Sequence, residues 1–102
     1  MPRQLGYATV AILRAIGQAR NYGLDIIAAT DLPSGTVYVT LGRLQKRGFV
    51  STAWEDDAIA ESEGRPRRRY YELTRGGQDA LDRTLAAYDA LTLPHSQPEG
   101  RG

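Results

Sequence analysis

The chain has 102 residues, 41% of them hydrophobic and 25% charged, with a formal net charge of +1, the balance of one soluble globular domain with a modest core. It contains no cysteine and one histidine, which excludes a disulfide framework and a thiolate metal site. No apolar run approaches the roughly 18 residues of a membrane span, and MPRQLG lacks the layout of a signal peptide, so no membrane association and a cytoplasmic location are expected.

The first helical pattern covers residues 5–16, where Leu5, Thr9, Ile12 and Ile16, with Leu13 beside them, form an apolar stripe. Gly17 is a natural weak point, and residues 18–21 read as a loop. A shorter helix is predicted over 22–30, with Asn21 as its cap and Leu24, Ile27 and Ala28 facing inward. Asp25 sits in its first turn, where a carboxylate suits the helix dipole.

DLPSG (31–35) breaks that pattern, and Ser34 is the best cap for the helix that follows. In PSGTVYVTLGRLQKRGFV (33–50), Val37, Leu41 and Leu44 fall at i, i+4 and i+7 and share one face. The opposite face is expected to carry Thr36, Tyr38, Thr40, Arg43 and Lys46: hydroxyls, an aromatic ring and cations, the groups that meet phosphates and base edges. Gly48 closes the helix after Lys46 and Arg47. A short helix, a tight turn and a second amphipathic helix make a helix-turn-helix layout.

Two alternating strands are expected at 49–55, with Val50, Thr52 and Trp54 on one face, and at 67–73, with Tyr71 and Leu73 opposite Arg68 and Tyr70. Between them DDAIAESEGRP (56–66) is polar and is expected to be a mobile hairpin loop. A hairpin directly after the second helix is a wing. A last helix starts at the cap Thr74 and runs to about residue 93, with Gly77, Leu81, Leu85, Tyr88 and Leu91 along one face. Pro94 is its expected stop, and HSQPEGRG (95–102) is expected to be disordered.

The fold class is therefore mostly α with a two-stranded β-hairpin wing. The expected organisation is a winged helix-turn-helix over 1–73, a long C-terminal dimerisation helix over 74–93, and a disordered tail over 94–102. The apolar rod of the last helix points to a homodimer through Leu81, Leu85, Tyr88 and Leu91.

YGLDII (22–27), LPSGTVYVTLGRLQKRGFV (32–50), Trp54-Glu55, GRPRRRYYELTRGG (64–77) and Ala80-Leu81, in that order and spacing, resemble PadR-type winged-helix transcriptional regulators of the short form with one C-terminal helix. The resemblance covers roughly residues 5–92. It implies a homodimeric repressor on inverted-repeat operator DNA, with small aromatic or drug-like effectors relieving repression in some members. Members that sandwich planar drugs between subunits often carry tryptophan on the last helix; here that helix offers Tyr88, and no effector is assigned. The acidic wing loop is a second departure.

If the partner is double-stranded DNA, Ser34 and Thr36 would hold a phosphate at the start of the helix. Thr40 and Arg43 would enter the major groove, Arg43 as a two-point contact to guanine. Tyr38 would reach a phosphate or a thymine methyl, Gly42 would admit close backbone approach, and Lys46 would face phosphate. On the wing, Arg65, Arg67 and Arg68 are the expected DNA contacts, Arg65 and Arg67 the preferred ones for phosphate and Arg68 on the other face, and Trp54 is assigned to core or hairpin packing. An enzyme is not expected. His95 lies in the tail, the acids of 55–63 lie in a flexible loop without fixed geometry, and no phosphate loop occurs, so no catalytic residue, metal or cofactor is assigned. The alternative is a winged helix used for protein contact, with no operator of its own.

Overall fold

The computed structural model describes residues 5–96, with side chains through residue 90. Five helices and one hairpin follow in the order α1 (Tyr7–Gly17), α2 (Gly23–Thr30), α3 (Ser34–Lys46), β1 (Val50–Trp54), α4 (Asp57–Ser62), β2 (Arg69–Leu73) and α5 (Arg75–Ser96). α1 is the centre of the packing: it touches α2, α3, β2 and α5. Ile12 and Leu13 on α1, Ile26 on α2, and Val37, Leu41 and Leu44 on α3 are the fully buried side chains. Each contributes roughly 1.5–3 kcal/mol relative to exposure. Val50, Tyr71, Ala80 and Leu81 join the same cluster, so hairpin and C-terminal helix share one core with the helix pair.

α2 ends where Asp31 adopts a left-handed conformation (φ 57°), and Thr30 Oγ1 donates to the Ile26 carbonyl at 2.7 Å. Its inward residue is Ile26, whereas Leu24 is 71% exposed and Ala28 is exposed too. An eight-residue helix docks along a narrow line, and here that line passes through Ile26 with Ile27 at its margin. Asn21 does not cap α2. Its carbonyl instead accepts from the Tyr71 N–H at 2.9 Å, and Tyr22 bridges Tyr70, so the α1–α2 connector is tied to the wing.

α3 starts after Pro33, which occupies the cap position, so Ser34 is its first helical residue and makes no side-chain cap. It closes on Gly48 (φ 77°). There the Phe49 N–H reaches the Leu44 carbonyl and the Gly48 N–H reaches Gln45, the paired bonds of a left-handed glycine terminus. β1 and β2 pair antiparallel in the register Val50↔Leu73 through Trp54↔Arg69.

The connection between the strands is more ordered than expected. Asp56 accepts from the Ala58 N–H and caps α4, Asp57 sits in its first turn, and Ala60 is buried. Gly64 (φ 67°) then turns the chain. Capping, an Ala-containing turn and one buried contact are enough to fold a segment whose composition alone reads as loop.

Thr74 caps α5 as expected: Oγ1 accepts from the Gly77 N–H at 3.1 Å and donates to the Gly48 carbonyl. α5 runs 22 residues to Ser96, past Pro94. A proline in the last turn removes a single N–H and does not stop the helix there. Residues 94–96 of the expected tail (94–102) are thus helical, and residues 97–102 lie outside the described residues. Leu81 is buried in the shared core and Leu85 packs against it, so these two hold α5 to its own chain; Tyr88, beyond them, is exposed. The side chain of Leu91 is outside the described set. No helix among the described residues is long and apolar enough to cross a membrane.

Candidate nucleic-acid interface

The outward face of α3 follows from its inward one. With Val37, Thr40, Leu41 and Leu44 buried, the exposed line runs through Ser34, Thr36, Val39, Arg43 and Lys46, at helical spacings of two to four residues. Since no side chain caps the first turn, its leading N–H groups face outward beside Ser34 and Thr36, an arrangement suited to an anion. Arg43 and Lys46 are exposed. Nothing lies within 4 Å of where a Cβ on Gly42 would be, so this turn of backbone is open to a partner.

Thr40 does not belong to that line. It is 9% exposed, because a step of three from Val37 and four to Leu44 puts it on the inward stripe. Val39 takes its place, 56% exposed between Thr36 and Arg43. As an aliphatic residue it reads as core from sequence. Its i+4 relation to Arg43 was the available signal that it faces out, where it suits a thymine methyl.

Tyr38 is half exposed and lies across the start of α2. A Cβ on Gly23 would fall within 2.8 Å of Tyr38 Cε1. The ring therefore rests on bare backbone, and glycine at 23 is what makes room for it.

The wing is organised by Glu55, a residue expected to lie in a flexible acidic loop and found buried instead. Arg65 Nη1 and Nη2 donate to its two oxygens at 2.7 and 2.9 Å, the Arg68 N–H donates at 3.2 Å and the Tyr70 hydroxyl at 3.2 Å. The Arg65 guanidinium is the main reason that the Glu55 carboxyl is pulled down to about 2; the Arg68 N–H and Tyr70 hydroxyl add to it, against the opposing effect of burial. Arg65 in turn is held above the usual arginine range by Glu55 and Glu63. Arg65 is thus a structural clamp and not a free phosphate contact.

The other wing cations differ. Arg67 pairs with Asp57 at 3.1 Å, both exposed, and lies 5.0 Å from the Trp54 ring. Arg68 stacks 4.0 Å over Tyr22. Arg69, absent from the expected contacts, is the cross-strand partner of Trp54, donates to Thr52 Oγ1 and lies 5.6 Å from the Trp54 ring. Trp54, assigned to hairpin packing, is 56% exposed and carries these cations on its ring. The wing therefore offers the exposed Arg67 and Arg69 and the half-buried Arg68. Among the described residues no group of three His, Cys, Asp or Glu side chains is placed to hold a metal ion.

The model of the transcriptional regulator PadR-like family matches residues 12–83, from α1 into α5. In structure the chain is similar to a PadR family transcription regulator from hypervirulent Clostridium difficile R20291, with 24% identity over 90% of this chain and 97% of that one and a TM-score of 0.75. It is also similar to a PadR-like transcription factor from Bacteroides fragilis, with 26% identity, coverage of 87% and 88%, and a TM-score of 0.69. A third similar structure is BpsR from Bordetella bronchiseptica, a protein whose DNA binding is regulated by 6-hydroxynicotinic acid; identity is 20%, coverage 98% of this chain and 72% of that one, and the TM-score 0.72. No curated protein matches the sequence.

Proposed function

The chain belongs to the transcriptional regulator PadR-like family, and from that premise we propose that it binds operator DNA in a sequence-specific way as a homodimeric repressor. The observation that carries this is the exposed line Ser34, Thr36, Val39, Arg43 and Lys46 on a helix whose other side is locked into the core, with a cationic wing beside it. Arg43 reads guanine through its guanidinium fork, Val39 meets a thymine methyl, and Ser34, Thr36 and Lys46 hold phosphate. Tyr38, anchored on α2, contributes a phosphate or base-methyl contact. Arg67, Arg68 and Arg69 extend the footprint along the backbone or minor groove.

The homodimer rests on α5. Leu81 and Leu85 fasten its first half to the core, and the helix then continues to Ser96. Twenty-two residues at about 1.5 Å each make a rod of about 33 Å, long enough for its distal half to pack against that of a second copy. The two α3 helices are then spaced by roughly 34–36 Å for an inverted repeat.

Selection of bound sequences from random DNA, followed by affinity titration at several salt concentrations, tests this. A palindromic consensus and a log–log salt slope near −0.9 per phosphate neutralised are expected. No binding at low salt overturns the proposal and leaves a winged helix that contacts protein.

A further inference from the structure

We propose that the pocket between α1 and the second half of α3 is a binding site for a free anion of the diphosphate class. The pocket is open and holds about 380 Å³, lined by Thr9 of α1, by Thr40, Arg43, Leu44 and Lys46 of α3, and by Arg47 at the end of that helix. Ligand sites span about 300–1,000 Å³, so this one has room for more than a single inorganic phosphate.

The floor of the pocket is a buried hydroxyl with nothing to bond. Thr40 is 9% exposed, and its side chain makes no hydrogen bond among the described residues. Thr30, at the end of α2, by contrast donates to the Ile26 carbonyl at 2.7 Å. A buried polar group without a partner costs stability, and native structures leave few of them so. This one opens onto a concavity, and its acceptor comes from outside the chain.

Charge selects the occupant. Arg43, Lys46 and Arg47 stand at i, i+3 and i+4, so three cations share about one turn of helix, and no acidic residue lines the pocket. None of the three is in an ion pair among the described residues; Arg47 has the Phe49 ring as its neighbour, 4.6 Å away. Guanidinium forks match phosphate oxygens at two points each, and an ammonium adds a point charge. One phosphoryl group carries at most about two negative charges near pH 7, fewer than these cations supply, so a diphosphate balances them better. An apolar ligand would leave the charges uncovered, and a cation would be repelled.

The site stands independently of the function proposed above. Thr40 sits inward of the exposed line of α3, where a small anion reaches and the broad backbone of a duplex does not. Arg43 and Lys46 belong to both surfaces. Thr40 and Arg47 belong to the pocket alone, so they carry the test.

The full chain without DNA is titrated by calorimetry with pyrophosphate, and with inorganic phosphate and citrate as the single-phosphate and carboxylate controls. One saturable site per chain is expected for pyrophosphate, with both controls weaker by about tenfold, as loss of charge-assisted contacts implies. Thr40→Val keeps every charge and removes the hydroxyl. Its urea midpoint without ligand should rise, because an unpartnered polar group leaves the interior, and its affinity for pyrophosphate should fall by about fivefold. Arg47→Gln should lower that affinity by about tenfold, and Arg14→Gln, elsewhere on α1, should leave it unchanged. Absence of saturation at millimolar pyrophosphate, equal affinity for citrate, or full affinity in both Thr40→Val and Arg47→Gln with unchanged circular dichroism each overturns the site. Operator titrations in salt separate the two sources of phosphate. If Arg47→Gln flattens the log–log slope by nearly one unit while pyrophosphate fails to bind, the pocket takes a backbone phosphate of DNA and the free-anion site is overturned. Pyrophosphate binding by a chain that binds no DNA keeps the site and removes the operator function alone.

Discussion

Arg65 grips Glu55 with both terminal nitrogens, at 2.7 and 2.9 Å, across ten residues of wing. The pair joins the end of β1 to the segment leading into β2, and the Arg68 N–H and Tyr70 hydroxyl complete the carboxylate's shell. It sets the wing's shape at the point where the hairpin would otherwise fray.

Its pH dependence follows. The Glu55 carboxyl falls from 4.5 to about 2 when the Arg65 bonds form, so the folded wing binds fewer protons than the unfolded one between those values. The pair's contribution is complete above about pH 4.5 and is lost as pH falls through about 2. Acid titration followed by Trp54 fluorescence should show a wing transition in that window. Glu55→Gln should remove the transition and loosen the hairpin at neutral pH.

Neighbouring glycines at the start of α5 have opposite expectations. A Cβ on Gly77 would meet the Phe49 backbone, with the carbonyl carbon at 2.9 Å and Cα at 3.1 Å, whereas the nearest atom to one on Gly76 is 3.8 Å away. Backbone cannot swing aside as a side chain can. Gly77→Ala should cost about 1–3 kcal/mol by overpacking, and Gly76→Ala should be neutral or stabilise by up to about 1 kcal/mol through helix propensity. Urea midpoints of the two variants check the contrast; equal effects would remove the assigned role of Gly77.

These examples show what sequence discloses and what it does not. Val37, Leu41 and Leu44 were legible because helical spacing fixes an inward stripe without knowledge of the partner, and Thr74 because a cap is local. Thr40 was legible in principle, since the same spacing puts it inward, but its hydroxyl suggested an outward role. The Glu55–Arg65 pair was not legible: which arginine of the run meets which acid depends on how α4 and Gly64 route the chain between the strands. Ile26 rather than Leu24 faces the core for a similar reason, because the docking line of so short a helix is set by its neighbours. The pocket floored by Thr40 joins Thr9 to the end of α3, residues far apart in the chain, and has no sequence signature of its own.

Thr36 and Thr40 offer an internal control for the reading face of α3. Arg43→Ala should weaken operator binding by roughly 1–3 kcal/mol per half-site and relax one base position. Thr36→Ala should weaken binding with little effect on stability. Thr40→Val, at a buried position, should change the unfolding midpoint more than the affinity. Anisotropy titrations paired with urea melts distinguish the two threonines; an affinity loss confined to Thr40 would place the DNA on a different side of the helix.

Asp57 restrains one wing cation. Its carboxylate accepts from Arg67 Nε at 3.1 Å with both groups exposed, a pair worth at most about 1 kcal/mol to folding. Asp57→Ala should therefore leave stability nearly unchanged while freeing Arg67 for phosphate. Affinity for random DNA should rise, and the log–log salt slope should steepen by nearly one unit. An unchanged slope would show that Arg67 stays clear of the duplex.

Gly23 and Tyr38 link the short helix to the reading helix. The tyrosine hydroxyl end lies over Gly23 so closely that any Cβ must displace it. A half-exposed ring can rotate outward, so Gly23→Ala should spare most of the stability but move Tyr38 out of its place in the footprint. Tyr38→Ala removes the same contact without a clash. If Tyr38 contacts DNA from its present position, both variants should weaken operator binding, and the double variant should be no weaker than Tyr38→Ala alone. Additive losses would mean that Gly23 acts on DNA through the N-terminus of α2 and not through the ring, a result that a thermodynamic cycle of four titrations reads directly.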